Sequence, residues 1–222
     1  MKDVLINITS YNRLEMLQNL LDEFEEFDVI VWDDKSDFTK DDLGTSIYSN
    51  HYFNQFNINF GKKNAWKKFR YIFKHLKETD YKYYFVLPDD CEVCDNFIEK
   101  SIELWESIED KKKICLSWAS SERLKQPNWT PHYPVDKGNV ILSQWNDLQF
   151  MCEKNFFQEV KIKEVNPKRW EQDETLGSGV GSMISNQLCS NFHLYHAKEE
   201  MLKHLGNFDS KMNPEARKVT KL

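Results

Sequence analysis

The feature that most constrains the fold of this chain is a regular alternation of short apolar runs and helix-like segments. Residues 4–8 and 28–32 are apolar runs of the length of a strand. Between them, Leu14, Leu17 and Leu21 recur at the spacing of one helix face. A strand, a helix and a strand joined by short links predict a βαβ unit, in which the two strands run parallel.

The same alternation continues along the chain. In the first half, the pattern predicts a short third strand at 58–60, a helix beginning at Gly61, a strand at 81–87, a helix after Asp95 and a strand at 113–118. In the second half, where the pattern is less regular, it predicts strands at 139–144 and near 161–165, and helices around 153–160 and 182–190. No linker divides the chain. We therefore expect an α/β fold with one mostly parallel sheet flanked by helices, in a single domain of residues 1–222.

Composition narrows the class of protein. The 222 residues are 40% hydrophobic and 30% charged, which is typical of a folded, water-soluble domain. No apolar run approaches the roughly 20 residues that cross a bilayer, and the N-terminal residues lack the pattern of a signal peptide. A net charge of −6 argues against an extensive nucleic-acid surface, and five scattered cysteines are typical of reduced thiols. We expect a cytoplasmic protein without a membrane-spanning helix.

Polar residues follow three of the predicted strands at the points where these strands end. They are residues 9–13, with the sequence TSYNR, then Asp33 and Asp34, and then Asp89 and Asp90. Ligands of parallel α/β sheets bind beyond the carboxyl ends of the strands. We therefore expect these clusters, although distant in sequence, to meet at one binding site.

The two acidic pairs predict a divalent cation at this site. Neighbouring carboxylates repel each other, and a bound cation would offset that repulsion. Mn²⁺ or Mg²⁺ prefers oxygen ligands and leaves coordination positions for the phosphate oxygens of a ligand. Lys62 and Asn64 follow Gly61 in the first turn of a predicted helix, where backbone N–H groups and cations can bind the same phosphates.

Four segments together resemble the nucleotide-binding half of GT-A glycosyltransferases, particularly those of family two. The segments are INITSYNRLEMLQNLL, VIVWDDKS, GKKNAWKKFRYIF and YYFVLPDDCEV, which cover residues 1 to about 100 in the family's order. The resemblance implies a metal-dependent, inverting enzyme that uses a nucleotide sugar. It also implies that residues 1–100 bind the donor and residues 101–222 bind the acceptor.

The resemblance assigns donor-binding roles to individual residues. Thr9, Tyr11 and Arg13 would line the pocket for the nucleobase and the ribose. Asp33 or Asp34 would form a hydrogen bond with the base or the ribose.

The resemblance also implies the ligands of the metal. The family's DxD motif is changed here to PDD, so that Asp90 would bind the metal and Asp89 would contact the ribose or make a second contact. GT-A enzymes often add a C-terminal histidine to the metal site. His204 is the first candidate for this role. The alternatives are His193 and His196, which we expect on one face of a strand.

An inverting transferase needs a carboxylate that takes the proton of the acceptor hydroxyl. The family often places this base in an ED-like element, and the segment RWEQDETLGSG resembles that element with Gln172 in the first acidic position. Asp173 is the first candidate for the base, followed by Glu171 and Glu174. Acidic residues at a helix start would equally suit the helix dipole alone.

The donor implied by the resemblance is a UDP-sugar, and the default acceptor is a glycan. A hydroxymethylated base of DNA, as in compact phage-type transferases, is the alternative acceptor, because the second half carries aromatic and cationic residues that we expect to be exposed. These residues are Trp118, Arg123, Trp129, His132, Lys168, Arg169 and Trp170. A nucleotidyltransferase is a weaker alternative, since TSYNR lacks the glycines of that class, and a non-catalytic nucleotide-sugar binder is another. The sequence leaves the sugar and the oligomeric state open.

Overall fold

The structure is a computed structural model, and it describes residues 3–118, 134–146, 148–173 and 176–205. The strands are β1 Val4–Ser10, β2 Asp28–Asp33, β3 His51–Gln55, β4 Tyr83–Pro88, β5 Cys91–Val93, β6 Lys113–Ser117, β7 Val135–Lys137, β8 Val140–Leu142, β9 Phe150–Cys152, β10 His193–Ala197 and β11 Leu202–His204. The helices are α1 Leu14–Asp22, α2 Gly61–Glu78, α3 Phe97–Glu106, α4 Asn155–Glu159, α5 Lys168–Gln172 and α6 Val180–Leu188, with a short 3₁₀ segment at Asp41–Ser46. None of these described helices is both long and apolar enough to cross a membrane.

Nine of the described strands form one sheet in the order β3-β2-β1-β4-β9-β6-β10-β8-β7. Strands β1 to β4 pair in parallel, as do β6 and β10. Since β9 is antiparallel to both β4 and β6, these two strands also run in the same direction. Strand β8 is antiparallel to both β10 and β7, so β7 runs in the direction of β10. Seven strands therefore share one direction, which confirms the mostly parallel sheet. Their last residues form one edge of the sheet, which we call the carboxyl edge.

The hydrophobic core lies on both faces of this sheet. Side chains of β1 alternate, so that Ile6 and Ile8 pack in the cluster formed with α1 and α3, while Leu5 packs in the cluster formed with α2, α4 and α6. In α1 the buried side chains Leu17, Leu20 and Leu21 recur at helical spacing. Full burial of each leucine side chain stabilises the folded state by about 1.5–3 kcal/mol. The helices cover the two faces of the sheet and leave the ends of the strands free to form a site.

The third strand lies earlier in the chain than expected. β3 is His51–Gln55 and pairs with β2, so the prediction of a strand at 58–60 is wrong. Residues 58–60 instead shape the start of α2. The Asn59 side chain donates a hydrogen bond to the carbonyl of Asp34 at 2.8 Å, and the N–H of Phe60 donates to the Asp34 carboxylate at 2.8 Å.

The strand expected near 161–165 is absent from the described residues. Ile162 and Val165 are buried, which accounts for the apolar pattern of this segment. The backbone of Lys161 pairs with a side chain rather than with a strand. The N–H of Lys161 donates to Oε1 of Gln187 at 3.0 Å, and Nε2 of Gln187 donates to the carbonyl of Lys161 at 2.9 Å. The other strands and helices predicted in the second half lie within a few residues of their expected positions.

Candidate functional site

The two adjacent aspartates at the end of β4 face an arginine. Nη1 of Arg13 lies 2.7 Å from Oδ1 of Asp89, and Nη2 lies 3.0 Å from Oδ2 of Asp90. Arg13 follows the end of β1, which pairs directly with β4, so neighbouring strand ends bring the three side chains together. The planar guanidinium presents a fixed fork of donors and can bridge two carboxylates. A positive charge that offsets the repulsion between the aspartates is therefore part of the chain itself.

The second oxygen of Asp89 ties the end of β4 to the turn after β1. Oδ2 of Asp89 accepts hydrogen bonds from Oγ of Ser10 at 2.9 Å and from the N–H of Tyr11 at 3.0 Å. Because Oδ1 is paired with Arg13, both carboxylate oxygens of Asp89 have protein donors. Asp89 therefore organises the turn that presents Tyr11 and Arg13.

Asp90 meets a residue from far along the chain. β11 pairs antiparallel with β5 and places His204 opposite Cys91. Nε2 of His204 lies 3.2 Å from Oδ1 of Asp90, and the N–H of Leu205 donates to the carbonyl of Asp90 at 2.8 Å. The structure thus brings together the two residues that the sequence suggested as metal ligands.

The two neighbouring carboxyl groups differ in acidity. Burial raises the pKa of Asp89 to about 6, while the charge of Arg13 opposes this rise and the charge of Asp90 adds to it. Burial also acts to raise the pKa of Asp90, but the contact with His204 and the charge of Arg13 outweigh it and hold that pKa below its ordinary value. Asp90 is therefore the more stable anion of the pair and the better partner for a cation.

Asp90 and His204 fit one edge of a divalent cation site. The 3.2 Å between their facing atoms suits two neighbouring ligands that each lie about 2.1 Å from one ion. In the described part of the chain, Nδ1 of His204 is buried without a hydrogen-bond partner. No group of three or more His, Cys, Asp or Glu side chains that could hold a metal occurs among the described residues. The described residues thus supply two donors here, and phosphate oxygens and water would complete the coordination, as is usual for Mg²⁺ at phosphate sites.

Asp33 is buried and holds the turn after β2. It accepts hydrogen bonds from the backbone N–H of Ser36 at 2.7 Å and from Nε2 of Gln55 at 3.0 Å. The same Gln55 amide also donates to the carbonyls of Ser36 and Phe38. Asp33 therefore links the ends of β2 and β3 and is not exposed to solvent.

Asp34 is also buried and anchors the start of α2. Its Oδ2 accepts a hydrogen bond from the N–H of Gly61 at 3.3 Å and lies 3.3 Å from Nζ of Lys68, which is buried as well. A buried charge of this kind is stable only when it is paired. The anchored helix places Lys62, which is half-buried, and Asn64, which is exposed, near the carboxyl edge.

The turns after β1 and β2 are joined to each other. The N–H of Asn12 donates to Oγ of Ser36 at 2.7 Å, and the Asn12 side chain exchanges hydrogen bonds with Asp37 at 2.7 and 3.2 Å. Thr9 and Tyr11 are half-buried beside this junction. An open cleft of about 520 Å³ adjoins it, lined by Asn12, Leu14, Asp37, Phe38 and Asp42. Space for a ligand therefore exists beside the joined turns after β1 and β2.

The candidate bases lie at α5. Glu171 is in this helix and Asp173 directly follows it, and both side chains are exposed. Glu174 lies outside the described residues. Trp170 fixes the helix to the core, because it is buried and its Nε1 donates to the carbonyl of Leu176 at 3.2 Å. The acidic side chains are thus held on an anchored helix and face solvent.

The two alternative histidines do not share a face of β10, so that expectation is wrong. Their spacing of three residues is odd, and side chains alternate along a strand. His193 begins β10, at the edge opposite the carboxyl edge, where its Nδ1 lies 2.5 Å from Asp110 beside a cavity of about 640 Å³. His196 is buried, with its Nδ1 2.5 Å from Oγ of Ser143.

We expect His196 to make stability fall in mildly acidic solution. Burial lowers the pKa of His196 from 6.5 to about 3. Between these two pH values the unfolded chain binds a proton at His196, whereas the folded protein does not. The stabilisation is present above about pH 6.5 and is lost as the pH falls toward 3, by at most about 1.4 kcal/mol per pH unit. Urea unfolding across this window measures the loss. His196→Asn can keep a partner for Ser143 without titrating, so the unmodified protein should lose more stability than this variant as the pH falls. The raised pKa of Asp89, about 6, acts in the opposite direction in both proteins and cancels in the comparison. Superimposable profiles would contradict the prediction.

Two tryptophans that we expected at the surface are buried. Trp118 is 1% exposed and stacks on Phe85 with ring centroids 5.6 Å apart, and Trp170 is 1% exposed. Lys168 is exposed and Arg169 is half-buried, while Arg123, Trp129 and His132 lie outside the described residues. Neither buried tryptophan can stack on an extruded base, so the expectation that favoured a DNA acceptor is wrong for these two residues.

Sequence reasoning missed Gln55 and Lys68, which hold Asp33 and Asp34 in place. Lys68 had a recognisable signal, because it occupies the inner face of α2 between Ala65 and Ile72, where a lysine is buried only when it is paired. Gln55 had none. Nothing in its sequence context distinguishes it from polar residues of the surface.

No protein-family model matches the sequence, and no curated protein matches it. Solved structures do match. The crystal structure of TarS 1–349 from S. aureus gives a TM-score of 0.51 at 13% identity, covering 89% of this chain and 60% of that chain. The crystal structure of S. aureus TarS gives a TM-score of 0.52 at 13% identity, covering 90% of this chain and 37% of that chain. The structure of TarS 1–349 in complex with UDP-GlcNAc gives a TM-score of 0.50 at 12% identity, covering 98% of this chain and 63% of that chain.

The chain spans less than two thirds of each of these TarS chains. At such low identity the likeness concerns the architecture alone. TarS has a GT-A-type fold, and the match extends over at least 89% of this chain. The fold predicted from the sequence is therefore confirmed: this chain has a GT-A-type α/β fold.

Proposed function

We propose that this chain is a glycosyltransferase that transfers a sugar from a UDP-sugar to an acceptor hydroxyl. The observation that carries the proposal is the cluster of Arg13, Asp89, Asp90 and His204 at the carboxyl edge of a GT-A-type sheet. Ligands of such sheets bind at this edge. One of the similar TarS structures is a complex with UDP-GlcNAc, which supports a nucleotide sugar as the ligand.

The open cleft lined by Asn12 and Asp37 is the proposed position of the nucleobase and ribose, and Thr9 and Tyr11 precede Asn12 in the same turn. Asp33 and Asp34 contribute through the turns that they hold, because both carboxylates are fully buried and accept hydrogen bonds from the protein. We therefore assign them a positioning role rather than direct contact with the nucleotide.

Asp90 and His204 would hold Mn²⁺ or Mg²⁺, and such an ion offsets the negative charge that develops on the leaving diphosphate. Arg13 can also offset the negative charge of the leaving diphosphate, since a guanidinium binds phosphate with the geometry that it uses for carboxylate. Lys62 adds positive potential from the start of α2, where the helix dipole also favours an anion. These groups stabilise the leaving group and form no bond to the sugar.

Asp173 is the proposed base that takes the proton of the acceptor hydroxyl, with Glu171 and Glu174 as alternatives. A single base acting opposite the leaving group gives inversion at the anomeric carbon. Asp173 is exposed and directly follows an anchored helix, so an acceptor can reach it. The proposed acceptor is a glycan, because the burial of Trp118 and Trp170 removes part of the surface that favoured a DNA base.

A screen of nucleotide sugars tests this proposal. We expect UDP-GlcNAc or UDP-glucose to raise the unfolding temperature, and Mn²⁺ to enlarge the rise. A ligand that binds only the folded state stabilises it by about 2.7 kcal/mol at a hundred times its Kd. Uridine is the matched control, because it has the nucleoside and lacks the diphosphate. UDP release with and without glycan acceptors then reports turnover.

The same assays separate the alternatives. A nucleotidyltransferase would release pyrophosphate from UTP or CTP with a sugar phosphate and would release no UDP from a UDP-sugar. A non-catalytic binder would show the shift without turnover on any acceptor. The absence of a shift with every nucleotide sugar, with and without Mn²⁺, would overturn the proposal.

A further inference from the structure

One face of α2 carries a row of exposed cations, which we call the α2 stripe: Lys63, Lys67, Arg70, Lys74 and Lys77. Their spacing of alternately four and three residues keeps them on one side of the helix. The row extends over about 21 Å at 1.5 Å per residue. The buried side chains of α2 lie on its other side, so the stripe faces solvent.

The described part of the chain does not neutralise the charge of the α2 stripe. Among the described residues, none of its five side chains forms an ion pair with a carboxylate. The helix contains seven lysines and arginines and a single acidic residue, Glu78, although the whole chain has a net charge of −6. Like charges at this spacing repel and weaken a helix. An anionic partner would relieve that repulsion.

Neighbouring residues widen the row into a surface. The Nε of Arg70 donates to the carbonyl of Ile162 at 3.0 Å, and its guanidinium lies 4.6 Å from the ring centre of Trp66. Ile162 is flanked by Lys161 and Lys163, both of which are exposed. The segment that packs against Arg70 therefore brings two more cations near the stripe, and the exposed carboxylates Glu159 and Glu164 flank them.

Apolar side chains are exposed beside the same cations. Tyr71 is 56% exposed and follows Arg70 on the helix, one turn from Lys74. Tyr71 packs edge-on against Phe56 with ring centroids 5.5 Å apart, and Ile58, which follows Phe56 closely, is 58% exposed. Cations mixed with an exposed tyrosine and isoleucine are typical of surfaces that meet the headgroup layer of a membrane.

We propose that the α2 stripe, with its flanking lysines and Tyr71 and Ile58, docks on an anionic phospholipid bilayer. The surface is a convex helix face rather than a groove, and exposed isoleucine suits the boundary between headgroups and acyl chains better than it suits a nucleic-acid backbone. Because α2 begins at Gly61, bonded to Asp34, the stripe starts next to the candidate site. Docking would hold the carboxyl edge close to the membrane surface.

Sedimentation of the whole protein with vesicles tests this surface independently of any catalytic activity. We expect binding to vesicles of phosphatidylcholine with phosphatidylglycerol, no binding to phosphatidylcholine alone, and release at high ionic strength. Lys63→Gln, Lys67→Gln and Lys74→Gln combined should weaken binding about tenfold or more, since each lysine near the surface contributes to the attraction. Lys40→Gln, Lys111→Gln and Lys112→Gln, which remove the same charge from exposed sites elsewhere, should leave it unchanged.

Three results would overturn the proposal. They are an absence of binding to the anionic vesicles, an equal loss in the two triple variants, and stripe-dependent binding to single-stranded DNA without binding to vesicles. The replaced lysines are exposed, so neither variant should unfold at a lower temperature than the unmodified protein. Tyr71→Ser together with Ile58→Ser provides a second test, because it should weaken vesicle binding while leaving the charge intact.

Discussion

Replacing Asp90 with asparagine should reduce sugar transfer by about 10³-fold or more. Asp90 is the more acidic carboxyl of its pair and faces both Arg13 and His204. Charge stabilisation of a leaving group by a bound cation contributes several kcal/mol, and each 1.4 kcal/mol or so corresponds to a factor of ten in rate. UDP release from the donor identified by the screen measures the effect, at several Mn²⁺ concentrations.

Asp80→Asn is the matched control for Asp90→Asn. It removes the same charge from a side chain that is 97% exposed and forms only a surface ion pair with Lys154. Surface pairs of this kind contribute little, so this variant should keep its activity and its stability. Turnover retained in Asp90→Asn would show that the cation, or the leaving group, is held elsewhere.

The candidate site could be predicted from the sequence where its residues directly follow predicted strands. In a parallel sheet the residues after each strand must meet at one edge, so the neighbourhood of Arg13 with Asp89 follows from the order of strands alone. His204 is different, because its position depends on the pairing of β11 with β5 across more than a hundred residues. No local pattern encodes that pairing, and the choice of His204 came from the resemblance to GT-A enzymes.

The carboxylate partners of the internal cations were beyond sequence reasoning. An arginine after a strand can equally face solvent, a ligand or another side chain, and only the packed structure shows that Arg13 bridges both aspartates. The acidic pair at the end of β2 was interpreted as ligand-binding, whereas Asp34 is held by Lys68 from the inner face of α2. Buried carboxylates need such partners, and the partner comes from another element of the fold.

The third strand shows the same limit in the backbone. β3 is an edge strand with polar and exposed side chains, so its sequence lacks the apolar alternation that marked β1, β2 and β4. Its existence depends on pairing with β2 and on the Gln55 side chain that reaches Asp33. Tertiary contacts of this kind override weak local propensity.

Replacing Arg13 with methionine should lower the free energy of unfolding by about 3–5 kcal/mol, because it leaves two adjacent buried carboxylates without their cation. The Arg13 side chain is 11% exposed, so water cannot readily replace it. Methionine keeps most of the volume of the buried stem and removes the charge. Urea unfolding in the presence of a chelator measures the loss.

The response of this variant to metal distinguishes the roles of Arg13. If Arg13 balances the charge of a cation site, Mn²⁺ should stabilise Arg13→Met more than the unmodified protein, since the freed oxygens of Asp89 and Asp90 become available as ligands. Arg13→Lys, which keeps the charge but cannot form the fork, should lose less stability and gain less from Mn²⁺. An equal response of all three proteins to Mn²⁺ would mean that the aspartate pair does not bind the ion. In that case Arg13 alone would supply the positive charge that meets the diphosphate of the donor.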